Sequence, residues 1–501
     1  MTSSTALPDH VRVLVIGAGF AGLGTAIQLD EHGFGDFLVL DKGATVGGTW
    51  RDNTYPGAAC DVPSHLYSFS FAPNAEWSRF FATQPEIQAY LERTATGAGV
   101  LDRFRFGVTV EDLTWEQTER RWRVTTSAGD VTADVVVSGA GGLSEPKLPD
   151  IEGLDDFDGT LFHSARWDHD TDLTGKRVAV IGTGASAIQI VPEIAKNVSH
   201  LDVYQRTPAW VVPRTDPRFT RSQRFALRHL PGARQALRTG VYLFREAAWP
   251  GFALDRRLSS PVRAFAEVNL RRISDPTLRA AVTPDFEIGC KRILLSNTYY
   301  PALSRDHVDL VTDRIARVTP TGIVTRNDEG VETERAVDAI VVATGFAITD
   351  QPLAHHIKGL DGRTLADVWS EHGMAAYKGT TIAGFPNLFQ VVGPNTGLGH
   401  SSMIYIIESQ VAYIVSALRE MGEHGIATLS PKPEVQSAWN DDLQRRMRRT
   451  VWNSGGCASW YLDEHGRNTT LWPRATFTMR RLLRRFDLDQ YDVTRTQEDA
   501  A

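Results

Sequence analysis

A short apolar run, VRVLVIGAGF from residue 11, breaks at glycines and resumes at helical spacing to residue 29, which predicts a strand, a tight turn and a helix. A second apolar run, FLVLDK, ends at Asp41, nineteen residues beyond Gly22. The same pattern returns in GKRVAVIGTGASAIQIV, residues 175–191. Each repeat closes on a buried-looking run that leads into glycine: ADVVVSGAGGL at 133–143 and VDAIVVATGF at 337–346. From 216 to about 290 the period becomes helical, rich in Arg and Ala and punctuated by Pro231, Pro250, Pro261 and Pro276, which predicts a helical insertion. Beyond Phe346, FPNLFQVVGPNTGLGHSSMIYIIESQVAYI reads as a strand, a glycine turn and a helix starting near Ser401.

The residue types at these turns carry chemistry. Gly17, Gly19 and Gly22 form GxGxxG: the first permits the turn, the second lets backbone approach a pyrophosphate, and the third allows close packing under a helix N-terminus that attracts anions. Asp41 then suits a free ribose diol. In the second copy Gly182, Gly184 and Ala187 hold those positions, with Thr183, Ala185 and Ser186 between them. Gly17 to Asp41 and Gly182 to Arg206 are both twenty-four residues, so Arg replaces Asp in register. A guanidinium fork pairs with a 2′-phosphate that a carboxylate would repel, so the first site suits FAD and the second NADPH. The prediction is an α/β chain with two Rossmann-like dinucleotide-binding domains. Residues 1–148 and 385–501 make the FAD domain, 149–215 and 291–384 the NADP domain, and 216–290 a helical insertion in the latter.

Composition narrows the partners. With 53 Lys plus Arg against 60 Asp plus Glu, the net charge of −7 gives no whole-chain attraction to nucleic acid. The basic clusters at 445–449 and 480–485 are read as solvated faces. Three cysteines without a CxxC pair predict neither a disulfide framework nor a dithiol reductase, and a cytoplasmic setting is expected. No signal-like or transmembrane stretch is expected. His355 and His356 lack partners at metal-ligand spacing, so no metal is expected.

Two further segments are GGTWRDNTYPGAACD, residues 47–61, and FDGTLFHSARWD, residues 157–168. They have the forms GGxWxxxxYPGxxxD and FxGxxxHxxxWD. With the paired turns, they resemble the class B flavoprotein monooxygenases, specifically the Baeyer-Villiger monooxygenases, over nearly the whole chain. Trp167 stands where the S- and N-oxygenating relatives usually have Tyr. The resemblance implies NADPH-driven reduction of FAD, addition of O₂ to the flavin as a peroxide, and insertion of one oxygen atom beside the carbonyl of a small-molecule ketone to give an ester or lactone. It assigns Arg292 as the catalytic arginine, Asp61 as the aspartate near the flavin, and Trp460 as a tryptophan of a mobile loop. Gly48, Thr49, Trp50, Tyr67 and Met403 are implied flavin contacts. Lys291 with Arg206 and Thr207 is implied at the 2′-phosphate. Phe157, Gly159, His163 and Trp167 form the fingerprint linker. An S- or N-oxygenating flavin enzyme remains the enzymatic alternative, and an NADPH-flavin reductase or a nucleotide-binding protein without oxygenation is the alternative of another class. Substrate identity and oligomeric state are left open.

Overall fold

Each predicted strand-turn-helix unit lies in its own sheet. The computed structural model describes residues 6–463 and 465–496. In the first unit the strand His10–Ile16 lies between Phe37–Asp41 and Gly129–Ser138, parallel to both, with Val13 opposite Phe37 and Val135. Phe104–Phe106 extends one side, and Leu388–Gln390 pairs with Gly129–Ser138 from the far end of the chain. An antiparallel excursion, Val110–Glu116 and Arg121–Thr126, completes the eight-stranded sheet with Ile357–Lys358 at its edge. Helices pack on one face of the central strands, and the antiparallel excursion with residues 354–385 packs on the other, which is why Val13, Leu14 and Val15 are all fully buried and the strand reads as an apolar run. The long helix Met403–Glu423 packs on the turn helix Phe20–Glu31 and caps one face.

The second sheet has five parallel strands in the order Val308–Val311, His200–Tyr204, Arg177–Ile181, Ala339–Val342, Thr160–His163. The helix Ala187–Ile194 follows the glycine turn. The helices Arg221–His229, Ala233–Glu246, Trp249–Ala253, Ser260–Leu270 and Pro276–Ala281 occupy the predicted insertion. Three of its prolines, Pro250, Pro261 and Pro276, sit in the first turns of their helices, where a missing N–H costs nothing.

Two expectations need correction. The sequence reading places 291–384 in the NADP unit, but Ile357–Lys358 pairs with Leu113 and Thr114 of the first sheet. Ala354, Leu365, Trp369 and Phe385 join the same core as Leu14 and Trp122, so the chain returns to the first unit some thirty residues earlier. Its apolar positions pack on a strand face that period alone does not identify. The cysteines were also expected to be too few and too far apart for a disulfide framework, yet Cys290 and Cys457 form one disulfide across a sequence separation of 167, leaving Cys60 free and buried. Folding brings together partners whose spacing carries no pairing signal. Among the described residues no helix is long and apolar enough to cross a membrane.

Candidate active site

The two glycine turns are built alike, bond for bond. Gly17 N–H donates to Leu40 O at 2.8 Å and Gly182 N–H to Tyr204 O at 3.0 Å, each reaching the neighbouring strand. Gly139 N–H then donates to Ile16 O, as Ala343 N–H donates to Ile181 O. A Cβ on Gly17 would lie 2.7 Å from Gly139 O, and one on Gly182 would lie 2.6 Å from Ala343 O, so both turns need glycine for packing and for their positive φ. Gly22 is tighter still, its Cβ falling 1.6 Å from Gly17 O. The middle glycines differ. Gly184 has open space on its Cβ side, and the nearest atom to a Cβ on Gly19 is 3.7 Å away. Backbone there is left bare beside helix N-termini that carry no side-chain cap, which is the geometry that accepts a pyrophosphate.

Asp41 ends its strand with a carboxylate already oriented. Ala18 N–H donates to Oδ2 at 2.6 Å, Gly43 N–H to Oδ1 at 2.7 Å, and Arg51 Nη1 to Oδ1 at 2.7 Å. Its remaining lone pairs suit the diol, and Arg51 is a contributor the sequence reading missed. Arg206 follows the matching strand of the second unit and is exposed with no acidic partner among the described residues. Burial lowers the pKa of neighbouring Lys291, and the Arg206 cation lowers it further against the pull of Asp285. Two close cations, the exposed Arg206 and the half-buried Lys291, fit a 2′-phosphate. Thr183 Oγ1 donates to Thr207 O at 3.1 Å, fixing the turn beside Arg206.

Asp61 and Arg292 meet across 231 residues of sequence. Arg292 Nε donates to Asp61 Oδ2 at 2.9 Å and Nη2 to Oδ1 at 2.7 Å, while Nη1 reaches Leu398 O at 3.1 Å. Burial disfavours the Asp61 carboxylate, but the Arg292 charge and hydrogen bonds outweigh it and hold the carboxyl below its usual range. Asp61 in turn drives the Arg292 pKa further up, against the cost of burial. The pair keeps 27 % and 30 % of its side-chain surface open, so the guanidinium is fixed yet reachable. Beneath it, burial pushes the Tyr461 phenol up to about 12, with Arg292 drawing it partly back.

The remaining expected residues fall into three groups. Gly48, at φ +53°, caps the short helix Thr49–Asp52, from which Trp50 Nε1 donates to Tyr67 Oη at 3.0 Å; Met403 opens the long helix against the same core. Trp460 is half exposed and lies edge-on to Tyr461 at 4.3 Å, and Tyr461 in turn couples electrostatically to Arg292. In the fingerprint, a Cβ on Gly159 would strike the Phe157 ring at 2.5 Å, and Trp167 packs edge-on to Phe162 at 4.9 Å. His163 Nδ1 accepts from Ala165 N–H, and the ring meets Phe346 at 5.9 Å, tying the linker to the ATGF segment.

Sequence reasoning also missed Gln189, which joins the units: its Nε2 donates to Ala59 O at 3.0 Å and its Oε1 accepts from Tyr55 Oη at 3.1 Å. Gly57, at φ +82°, would place a Cβ 2.7 Å from Gln189 O, so the YPG triplet is a contact between nucleotide units. A second missed residue, Arg245 of the insertion, has a buried Nε without a hydrogen-bond partner among the described residues. The only available signal was helical spacing, which gives no direction toward the site.

Known proteins match this arrangement. A family described as pyridine nucleotide-disulphide oxidoreductase matches residues 14–226. A Baeyer-Villiger monooxygenase of Streptomyces coelicolor is 52 % identical over 97 % of this chain and 93 % of its own length. One of Pseudomonas aeruginosa is 49 % identical over 97 % and 92 %. The chain belongs to the Baeyer-Villiger monooxygenase family. Members of the family also share its shape: a steroid monooxygenase bound to NADP superposes with a TM-score of 0.85 at 31 % identity, covering 98 % of this chain and 100 % of that one. OTEMO in complex with FAD and NADP gives 0.87 at 28 % identity, covering 97 % and 99 %.

Proposed function

We propose that this family member is an FAD-, NADPH- and O₂-dependent monooxygenase that inserts one oxygen atom beside the carbonyl of a small-molecule ketone, with Arg292 as its catalytic residue. When bound, FAD supplies oxygen activation with electrons drawn from NADPH. Gly17, Gly19, Gly22 and Asp41 would hold FAD, and Gly182, Gly184, Arg206, Thr207 and Lys291 would hold NADPH.

The observation that carries the reading is the fixed, partly exposed Asp61–Arg292 fork in a chain that carries two nucleotide turns. Arg292 stays charged throughout the working pH range, so it presents a permanent donor to the substrate carbonyl oxygen as that atom gains negative charge. A cation about 4 Å from a developing oxyanion contributes roughly 4 kcal/mol at an effective dielectric near 20. Asp61 orients the planar fork and tempers its charge, and the Leu398 carbonyl holds the third edge. The cytoplasmic setting expected partly from the lack of a disulfide framework loses that part of its support with the Cys290–Cys457 bond.

Turnover of a mixed ketone and sulfide panel with NADPH and ¹⁸O₂ tests the reaction. Labelled esters or lactones support it; labelled sulfoxides alone assign the S-oxygenating chemistry, and hydrogen peroxide alone assigns a reductase. Arg292→Ala should retain NADPH-dependent flavin bleaching while losing ester formation, and wild-type ester yield would remove Arg292 from the reaction.

A further inference from the structure

We infer that the helical insertion is a docking face for an anionic lipid surface. Residues 216–290 contain thirteen arginines, no lysine and seven acidic residues, a positive segment within a chain of net charge −7. Half of the described chain's exposed large apolar side chains also fall within this stretch. Neither property follows from the glycine turns or the Asp61–Arg292 pair.

The helix Ala233–Glu246 shows how the two properties are sorted. Its exposed positions are Gln235, Ala236, Thr239, Gly240, Leu243 and Phe244, every one uncharged. Leu243 is 60 % and Phe244 77 % exposed. The charged residues turn inward: Arg238 donates to the His65 and Ser68 carbonyls at 2.8 Å, Arg234 to Pro73 O, and Glu246 accepts from Thr476. A helix on a water-facing surface has the opposite polarity. Leu254 and Leu258 add exposed apolar surface after this helix, while Arg221 and Arg257 are exposed without acidic partners among the described residues.

A leaflet containing anionic lipid complements both parts, taking the uncharged helix face at the acyl boundary and the guanidinium groups at its phosphates. Arg is suited to that contact because its planar fork bonds phosphate through two donors. A symmetric contact with a second copy would instead set one positive insertion against another. The inference is independent of the proposed reaction, since binding is read without turnover.

The test is cosedimentation of the FAD-loaded enzyme with phosphatidylcholine vesicles, with and without phosphatidylglycerol. The expected result is binding only to the mixed vesicles, weakened by salt and reduced at least about tenfold both in Leu243→Ser/Phe244→Ser and in Arg221→Gln/Arg257→Gln. Flavin content and ketone turnover in buffer should remain unchanged in both variants. Failure to bind mixed vesicles at low salt overturns the inference, as does binding that survives either double substitution. Self-association abolished by Leu243→Ser/Phe244→Ser, without lipid binding, would assign the face to a second copy and equally overturn it.

Discussion

Asp61 shows how a single carboxyl can set the pH range of a whole site. Its pKa in the folded chain lies below the unfolded value, so the ion pair's stabilising contribution is complete above the unfolded carboxyl pKa and is lost as pH falls through the lowered folded one. Asp61→Asn should therefore melt earlier than wild type at neutral pH, with the gap closing only below about pH 4. Thermal melts from pH 3 to 8 check this, and a gap independent of pH would show that the pair contributes no proton-linked stability. Arg206 can be isolated at the same scale because it has no acidic partner among the described residues. Arg206→Ala should raise KM for NADPH by about tenfold or more and leave KM for NADH nearly unchanged, consistent with loss of charge-assisted phosphate bonds. Steady-state kinetics with both coenzymes decide it.

At the scale of elements, the glycines separate packing from binding. Gly22→Ala should yield little folded flavoprotein, because its Cβ would enter the Gly17 carbonyl at 1.6 Å. Gly184→Ala meets no protein atom within 4 Å, so it should fold with normal flavin content and show its cost as a higher KM for NADPH. Absorbance of bound flavin and coenzyme titration separate these outcomes. The elements around the turns were legible because an apolar run, a glycine break and a helical period are local signals. His10–Ile16, Phe20–Glu31, Arg177–Ile181 and Ala187–Ile194 all form where the pattern places them. The return of residues 351–384 to the first sheet was not legible, because a short apolar stretch fits either core equally well. Asp61 and Arg292 were marked through family segments, whereas Tyr461 and Arg51 gain their positions only through tertiary packing.

The whole molecule consists of two similar nucleotide units clasped by a few cross-contacts, with Gln189 and the Tyr55–Gly57 turn at the centre of one clasp. The covalent contact is Cys290–Cys457. Cys290→Ser should lower unfolding stability by about 2–4 kcal/mol, because it releases a long loop in the unfolded chain. Urea unfolding of the FAD-loaded protein measures this, and wild type in dithiothreitol should approach the variant. Cys290 stands two residues before Arg292, and Cys457 three before Trp460. One sulfur bridge thus puts the charged fork and the outward indole on a common leash, so thiol status would govern how far the tryptophan's segment can stray from Arg292.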